Sequence, residues 1–276
     1  MLNNTQYRVG ICGLGFVGSA LNNSFTAKNV CVDVYDKYKK EFSNPEELLQ
    51  CNIIFLCLPT KFDSSINSYD KSAIYEVCSF LEKSNYTGAV VIKSTVEPET
   101  TDYMSDKFNL NCIHNPEFLT ARTADVDYDN QTHIVLGRGV TCTDEIYDYT
   151  IQFHKDNYPD AEISLCTSLE SESMKLFANC FYSAKVQFFT ELYLLCNKIQ
   201  IDYNRVKGLM LKNNWINPMH TQVPGPDGKV SYGGMCFPKD TSALLNYMKK
   251  YDSAHKVLQS VIEERNAMRD DQSNCI

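Results

Sequence analysis

The chain has 276 residues, enough for one large domain or two ordinary ones, and two are expected because single cores stop growing near about 250 to 300 residues. Asp and Glu outnumber Lys and Arg by 34 to 26, and a net charge of −8 repels phosphate backbones and anionic lipid, which argues against nucleic-acid and membrane partners. A hydrophobic content of 43% excludes disorder as an account of the whole chain, and the twelve cysteines, without a CxxC pair or a His-rich cluster, argue against a metal site and against disulfides.

The first seven residues have neither a basic flank nor an apolar h-region, and no apolar run approaches the roughly 20 residues of a membrane span, so a cytoplasmic location is expected. Short apolar runs then recur at 7–12, 30–35, 53–58, 89–92, 111–114 and 133–136, separated by amphipathic stretches. This pattern predicts buried parallel strands with crossover helices, a Rossmann-like doubly wound α/β domain over 1–165. Beyond Ser164 the character changes. Residues 168–199 lack Gly and Pro and carry Leu176, Cys180, Ala184 and Phe188 four apart, with Phe177 and Phe181 beside them, which predicts one long and largely buried helix. Asp202 is placed to cap a helix through Leu211, and 238–250 and 253–269 read as two more. The all-helical domain is therefore expected over 166–276, with a long and functionally suggestive loop at 213–235.

Gly13, Gly15 and Gly18 form a GxGxxG turn that follows the first strand and opens a helix with Phe16 and Val17. The glycines permit a tight turn and close approach to a pyrophosphate, which would rest on the free amides of the helix. A glycine-rich turn without a ligand is the plain alternative. About 20 residues on, Asp36 at the end of the second strand could accept the ribose hydroxyls and repel a 2′-phosphate, which favours NAD over NADP. Asp33 competes for that role from mid-strand, and Lys37, Lys39 and Lys40 lie close by.

The segment Gly233-Gly234-Met235-Cys236-Phe237-Pro238-Lys239-Asp240 combines features that a structural cysteine does not require. Pro238 suits the first helical position, so Cys236 falls ahead of a helix N-terminus, where the dipole and Lys239 favour the thiolate. The paired glycines would let a substrate approach, and Asp240 would share the face of Cys236. A cysteine that happens to fall beside glycines is the alternative. Lys175 and Asn179, spaced i and i+4 on the long helix, could steady an oxyanion, or Lys175 could simply pair with Glu170 or Glu172.

Taken in order, Gly13 to Gly18, Lys93-Ser94-Thr95-Val96, Asn115-Pro116-Glu117-Phe118-Leu119, Lys175 with Asn179, and Gly233 to Asp240 resemble the motifs of the UDP-glucose 6-dehydrogenases, within the nucleotide-sugar dehydrogenases that also oxidise GDP-mannose and UDP-N-acetylmannosamine. The resemblance covers the chain from Tyr7 to about Arg269. It implies a four-electron oxidation of a primary alcohol, with UDP-glucose the leading substrate, using two NAD and one water. It implies Cys236 as nucleophile, Lys175 and Asn179 at the oxyanion, Asp240 and Thr95 handling protons and water, and Glu117 aiding water attack. Pro59, Thr60, Thr95, Asp36 and Lys37 would border the cofactor. Glu117, Phe118, Leu119, Lys175, Asn179, Tyr232, Gly233 and Gly234 would border the sugar nucleotide. It also implies a homodimer through the helix 168–199. Two departures stand out: Ala121 where the family usually has a second acidic residue, and a chain that ends before the family's further α/β domain. A two-electron 3-hydroxyacid dehydrogenase and a non-catalytic NAD-binding module are the alternatives.

Overall fold

The computed structural model describes residues 7–120, 122–269 and 271. The chain packs as two units, one made of the chain up to Thr60 with Asp70–Lys175, the other of Lys61–Tyr69 with the chain from Leu176 onward. The division by packing thus falls within the long helix.

In chain order the first unit holds β1 (Arg8–Cys12), α1 (Phe16–Ala27), β2 (Cys31–Tyr35) and β3 (Ile53–Leu56). Two short strands, β4 (Phe62–Asp63) and β5 (Ser68–Tyr69), pair antiparallel and belong to the second unit. The first unit resumes with α2 (Ser72–Lys83), β6 (Ala89–Ile92), α3 (Thr100–Phe108), β7 (Asn111–His114), α4 (Ala124–Asp129), β8 (His133–Arg138), α5 (Asp144–Asn157) and β9 (Glu162–Thr167). The strand order is β2-β1-β3-β6-β7-β8-β9. Within this seven-stranded sheet every pairing is parallel except β7 with β8.

The apolar runs explain the middle of this sheet. Ile53 and Phe55 of β3 point into a core with Tyr7, Phe25 and Phe153, while Ile54 and Leu56 point into a second core with Cys12, Ile92 and Met104. A strand buried on both faces needs no polar alternation, so it reads as a continuous apolar run. The antiparallel β8 differs from the all-parallel expectation. The chain between β7 and β8 carries only the six-residue α4 instead of a full crossover helix, and β8 starts an edge pair with β9. Because β2 and β3 flank β1 on opposite sides, the strand order reverses at β1, and the C-terminal ends of β1 and β3 form the crevice where ligands of such sheets bind.

The second unit continues α6 (Ser168–Lys198) and adds α7 (Tyr203–Leu211), α8 (Phe237–Lys250) and α9 (Lys256–Met268). Leu176 and Cys180 of α6 pack with Leu244, Leu245 and Leu258, and Phe189 and Cys196 pack with Tyr203 and Val223. Asp202 caps α7, accepting from the amides of Asn204 at 2.8 Å and Arg205 at 3.3 Å. The prediction of a largely buried α6 needs correction. One face is covered, but Phe177, Phe181, Phe188 and Leu195 are more than half exposed, and their spacings of four and seven residues make one stripe. Residues 212–236 carry no helix or strand among the described residues, and no helix among them is long and apolar enough to cross a membrane.

Candidate active site

The glycines of the first turn divide their tasks. Gly13 has φ of +94°, and a Cβ there would lie 2.5 Å from the carbonyl oxygen of Cys57; a Cβ on Gly18 would lie 1.8 Å from the carbonyl oxygen of Gly13. These two let α1 press against the turn. Gly15, the residue capping α1, has nothing within 4 Å of where its Cβ would be, and neither a capping side chain nor an acidic residue occupies the first turn of the helix. The geometry suits a phosphate group, which needs open space before free helical amides. Phe16 is exposed and Val17 half-buried at the same helix start. A cavity of about 520 Å³ opens here, lined by Leu14, Gly15, Phe16 and Ser19 on one side and by Arg122 and Thr123 on the other. Ala121 lies outside the described residues.

The two candidate carboxylates separate cleanly. Asp36 accepts from the amide of Leu14 at 2.8 Å and from that of Tyr38 at 2.9 Å, so it sits against the fingerprint turn. Asp33 is taken up by Arg8 at 2.6 Å, and that hydrogen bond holds its carboxyl below the usual range. Lys37 turns to Glu76 on α2 at 2.8 Å, while Lys39 donates to the carbonyl of Leu14 at 3.0 Å. At the ends of β3 and β6, Pro59 is exposed and buried Thr60 donates through its hydroxyl to the carbonyl of Thr95 at 2.7 Å.

Lys175 finds neither of the two partners expected from spacing. Glu170 accepts from Thr167, and Glu172 accepts from the amide and hydroxyl of Thr101 at 2.7 and 2.6 Å. The buried ammonium of Lys175 instead lies 3.3 Å from Oε1 of Glu117, donates to the carbonyl oxygen of Glu117 at 2.5 Å, and stands 5.3 Å from the ring of Phe118. Glu117 also accepts from the amide of Leu119 at 2.5 Å, and Phe118 stacks on His133. Glu117, Phe118 and Leu119 form one edge of a cavity of about 340 Å³. Behind them Lys93 is wholly buried, donating to Oδ1 of Asn115 at 2.9 Å, and burial pushes its pKa down to about 8.

In the second unit Cys236 caps α8 and is exposed, whereas among the other described cysteines only Cys31 is. Its carbonyl accepts from the amide of Asp240 at 3.0 Å, which places Asp240 one turn on. Phe237 opens the helix and Pro238 follows it, one position later than expected. Asp240 is fully buried and collects three donors: Tyr69 at 2.5 Å, Lys239 at 2.6 Å and the side-chain amide of Asn179 at 2.7 Å. Lys239 is therefore paired with Asp240 and also covers the ring of Tyr69. Gly234 has φ of +79° and open space above it, but the space above Gly233 is filled by the guanidinium of Arg269. Tyr232 is also a packing residue, buried with its hydroxyl 3.4 Å from that of Thr241.

An exposed thiol on a helix N-terminus can act as a nucleophile, and a buried ammonium set against a carboxylate can serve charge development and water activation. Sequence reasoning missed Tyr69 and Lys239 as holders of Asp240, and Lys93 and Asn115 as a buried pair. The last two stood inside the quoted motifs KSTV and NPEFL, which was the available signal.

Two sequence models of one family match the chain. The UDP-glucose/GDP-mannose dehydrogenase family, NAD binding domain, covers residues 36–150, and the central domain of the same family covers 169–267. UDP-glucose 6-dehydrogenase of Rickettsia bellii is 31% identical over 224 residues, covering 79% of this chain and 50% of that protein; the enzyme of the same name from Campylobacter jejuni is 28% identical, covering 79% and 53%. The chain thus spans about half the length of the curated relatives it matches. Among solved structures, a UDP-glucose dehydrogenase from Pyrobaculum islandicum superimposes with a TM-score of 0.82 at 21% identity, over 97% of this chain and 69% of that one. A 3-hydroxyisobutyrate dehydrogenase from Mycobacterium tuberculosis shares the fold at a TM-score of 0.75 and 14% identity, over 96% and 94%.

Proposed function

Because the chain belongs to the UDP-glucose/GDP-mannose dehydrogenase family, we propose that it oxidises a nucleotide sugar, UDP-glucose first among them, from primary alcohol to carboxylate with NAD. The observation that carries this reading is the exposure of Cys236 at the N-terminus of α8, one turn from a buried Asp240. When bound, NAD supplies the acceptor for hydride. The residues of the turn fit it: open space at Gly15 for the pyrophosphate and Asp36 for the ribose, with Pro59, Thr60 and Thr95 at the strand ends beside it.

After the alcohol is oxidised to an aldehyde, the aldehyde carbon has no further hydride to give from a tetrahedral centre. The thiolate of Cys236 adds to it, forming a C–S bond and an alkoxide that takes a proton. The resulting thiohemiacetal gives up its hydride to a second oxidised cofactor and its hydroxyl proton to solvent, which leaves a thioester, and water attack on that thioester releases the carboxylate and restores the thiol. Lys175 and Asn179 steady the oxyanion in these steps. Glu117, set against the ammonium of Lys175, takes a proton from the attacking water. Asp240 acts by holding Asn179, since its oxygens are already occupied by Tyr69, Lys239 and Asn179. Phe118, Leu119 and Gly234 border the sugar. The chain pairs with a second copy through the exposed stripe of α6.

The test is stoichiometry. NADH release is measured with limiting UDP-glucose for the protein and for Cys236→Ala. Two NADH per sugar, lost in the variant, are expected; turnover indifferent to the cysteine overturns the mechanism. The fold shared with 3-hydroxyisobutyrate dehydrogenase over nearly its whole length supports a two-electron second reading, and one NADH per substrate would favour it.

A further inference from the structure

Arg265 and Arg269, four residues apart at the C-terminal end of α9, are both almost wholly buried. A guanidinium does not shed its charge, so burying it demands acceptors. The acceptors here are consecutive backbone carbonyls. Arg265 Nε donates to Tyr232 at 3.2 Å, and Arg269 Nη1 donates to Val230 and Ser231, each at 3.2 Å. Asp227 at 2.6 Å from Arg269, and Asp271 against both arginines, balance the charge.

The same stretch is held from its other side by α6. Ser231 donates its amide to Thr190 Oγ1 at 3.0 Å and its hydroxyl to Gln187 Oε1 at 2.6 Å. Its φ of 60° lies in the left-handed region, which a residue other than glycine keeps only where its surroundings over-determine it. One residue beyond Tyr232, a Cβ on Gly233 would stand 2.4 Å from Nη2 and 2.6 Å from Cζ of Arg269, so this glycine makes room for the guanidinium. Three residues later comes Cys236.

We propose that Arg265 and Arg269 are positioning residues for the thiol: they lock the backbone from Val230 to Gly233 and so fix where α8 begins and how Cys236 is presented at its N-terminus. The inference rests on the reading of Cys236 as the nucleophile. A thiol fixed on a helix N-terminus is more nucleophilic than one on a loose loop, and its alkylation rate reports that without any turnover.

The experiment is alkylation of the full chain by iodoacetamide, followed by peptide mass spectrometry, with exposed Cys31 as the reference in the same sample. Arg269→Ala is expected to slow Cys236 about tenfold at neutral pH while Cys31 keeps its rate, with Arg269→Lys restoring part of the loss. Gly233→Ala, which drives a methyl into the guanidinium, should reproduce the defect, and the double variant should be no slower than either single one. An unchanged Cys236 rate in folded Arg269→Ala, or defects that multiply in the double variant, overturns the proposal. Should Arg269→Ala fail to fold, Arg269→Lys and Gly233→Ala carry the same comparison. Alkylation needs no nucleotide sugar, so a failed turnover assay and a failed clamp are told apart.

Discussion

The side-chain amide of Asn179 donates to the carboxylate of Asp240 at 2.7 Å, and that carboxylate has no exposed surface. With Tyr69 and Lys239 it closes a network in which one buried negative charge organises three donors. Removing the charge strands them. Asp240→Ala should therefore lower the stability of the protein by about 3 kcal/mol, the cost of leaving a buried ion-pair partner uncompensated. Urea unfolding followed by circular dichroism reads it. A change within about 0.5 kcal/mol, the range of an ordinary surface substitution, would show that the network is slack.

Glu172 presents a pH-dependent counterpart in the first unit. One oxygen accepts twice from Thr101, while Oε2 has no partner among the described residues, and burial pushes the pKa from 4.5 up to about 7. A folded-state value above the unfolded one means that the folded chain holds a proton the unfolded chain releases. The stabilising contribution is complete below about pH 4.5 and is lost as the pH rises through about 7. Relative to Glu172→Gln, which stays neutral, the wild type should lose about 3 kcal/mol across that interval. Parallel pH profiles for the two proteins would refute the assignment.

Some of this was legible beforehand and some was not, for physical reasons. The strands Ile53–Leu56 and Ala89–Ile92 announced themselves because burial on both faces leaves an unbroken apolar run. Strand Glu162–Thr167 gave no such run, being a half-exposed edge strand. The hairpin at Phe62–Asp63 and Ser68–Tyr69 has two residues per strand and no periodicity to detect. In the site, local motifs revealed the fingerprint turn and the thiol at its helix start. The partners of Lys175 and of Gly233 are Glu117 and Arg269, far apart in sequence, and only tertiary packing could reveal them.

Cofactor selectivity separates the two aspartates of β2 and its end. Asp36 lies against the amide of Leu14, whereas Asp33 is spent on Arg8 and Cys51. Asp36→Asn should raise the Kd for NAD at least about tenfold, the worth of one charge-assisted hydrogen bond, and narrow the preference against NADP. Asp33→Asn should leave NAD affinity near wild type and cost stability instead. Fluorescence titration of both variants checks the pair. Equal losses of affinity would mean that Asp36 has no special relation to the ribose.

The stripe on α6 yields the last prediction. Phe177, Phe181, Phe188 and Leu195 point away from the cores of the second unit, and Phe181 is 64% exposed. Burying a side chain of this size gains about 1.5 to 3 kcal/mol, and a two-fold pairing of the helix buries each residue in two copies. Such a face is expected to bring two chains together at micromolar concentration. Phe181→Glu places a charge on each copy at the same contact, so dissociation should become at least about a hundredfold easier, the equivalent of roughly 3 kcal/mol. The residue contributes little to the interior of its own chain, so the melting of the isolated protomer should barely change. Sedimentation equilibrium distinguishes the outcomes: a dimer that the variant dissolves supports pairing through α6. A wild-type protein that sediments as a monomer at tens of micromolar, or a dimer unmoved by the charge, shows that this face is not the one that pairs.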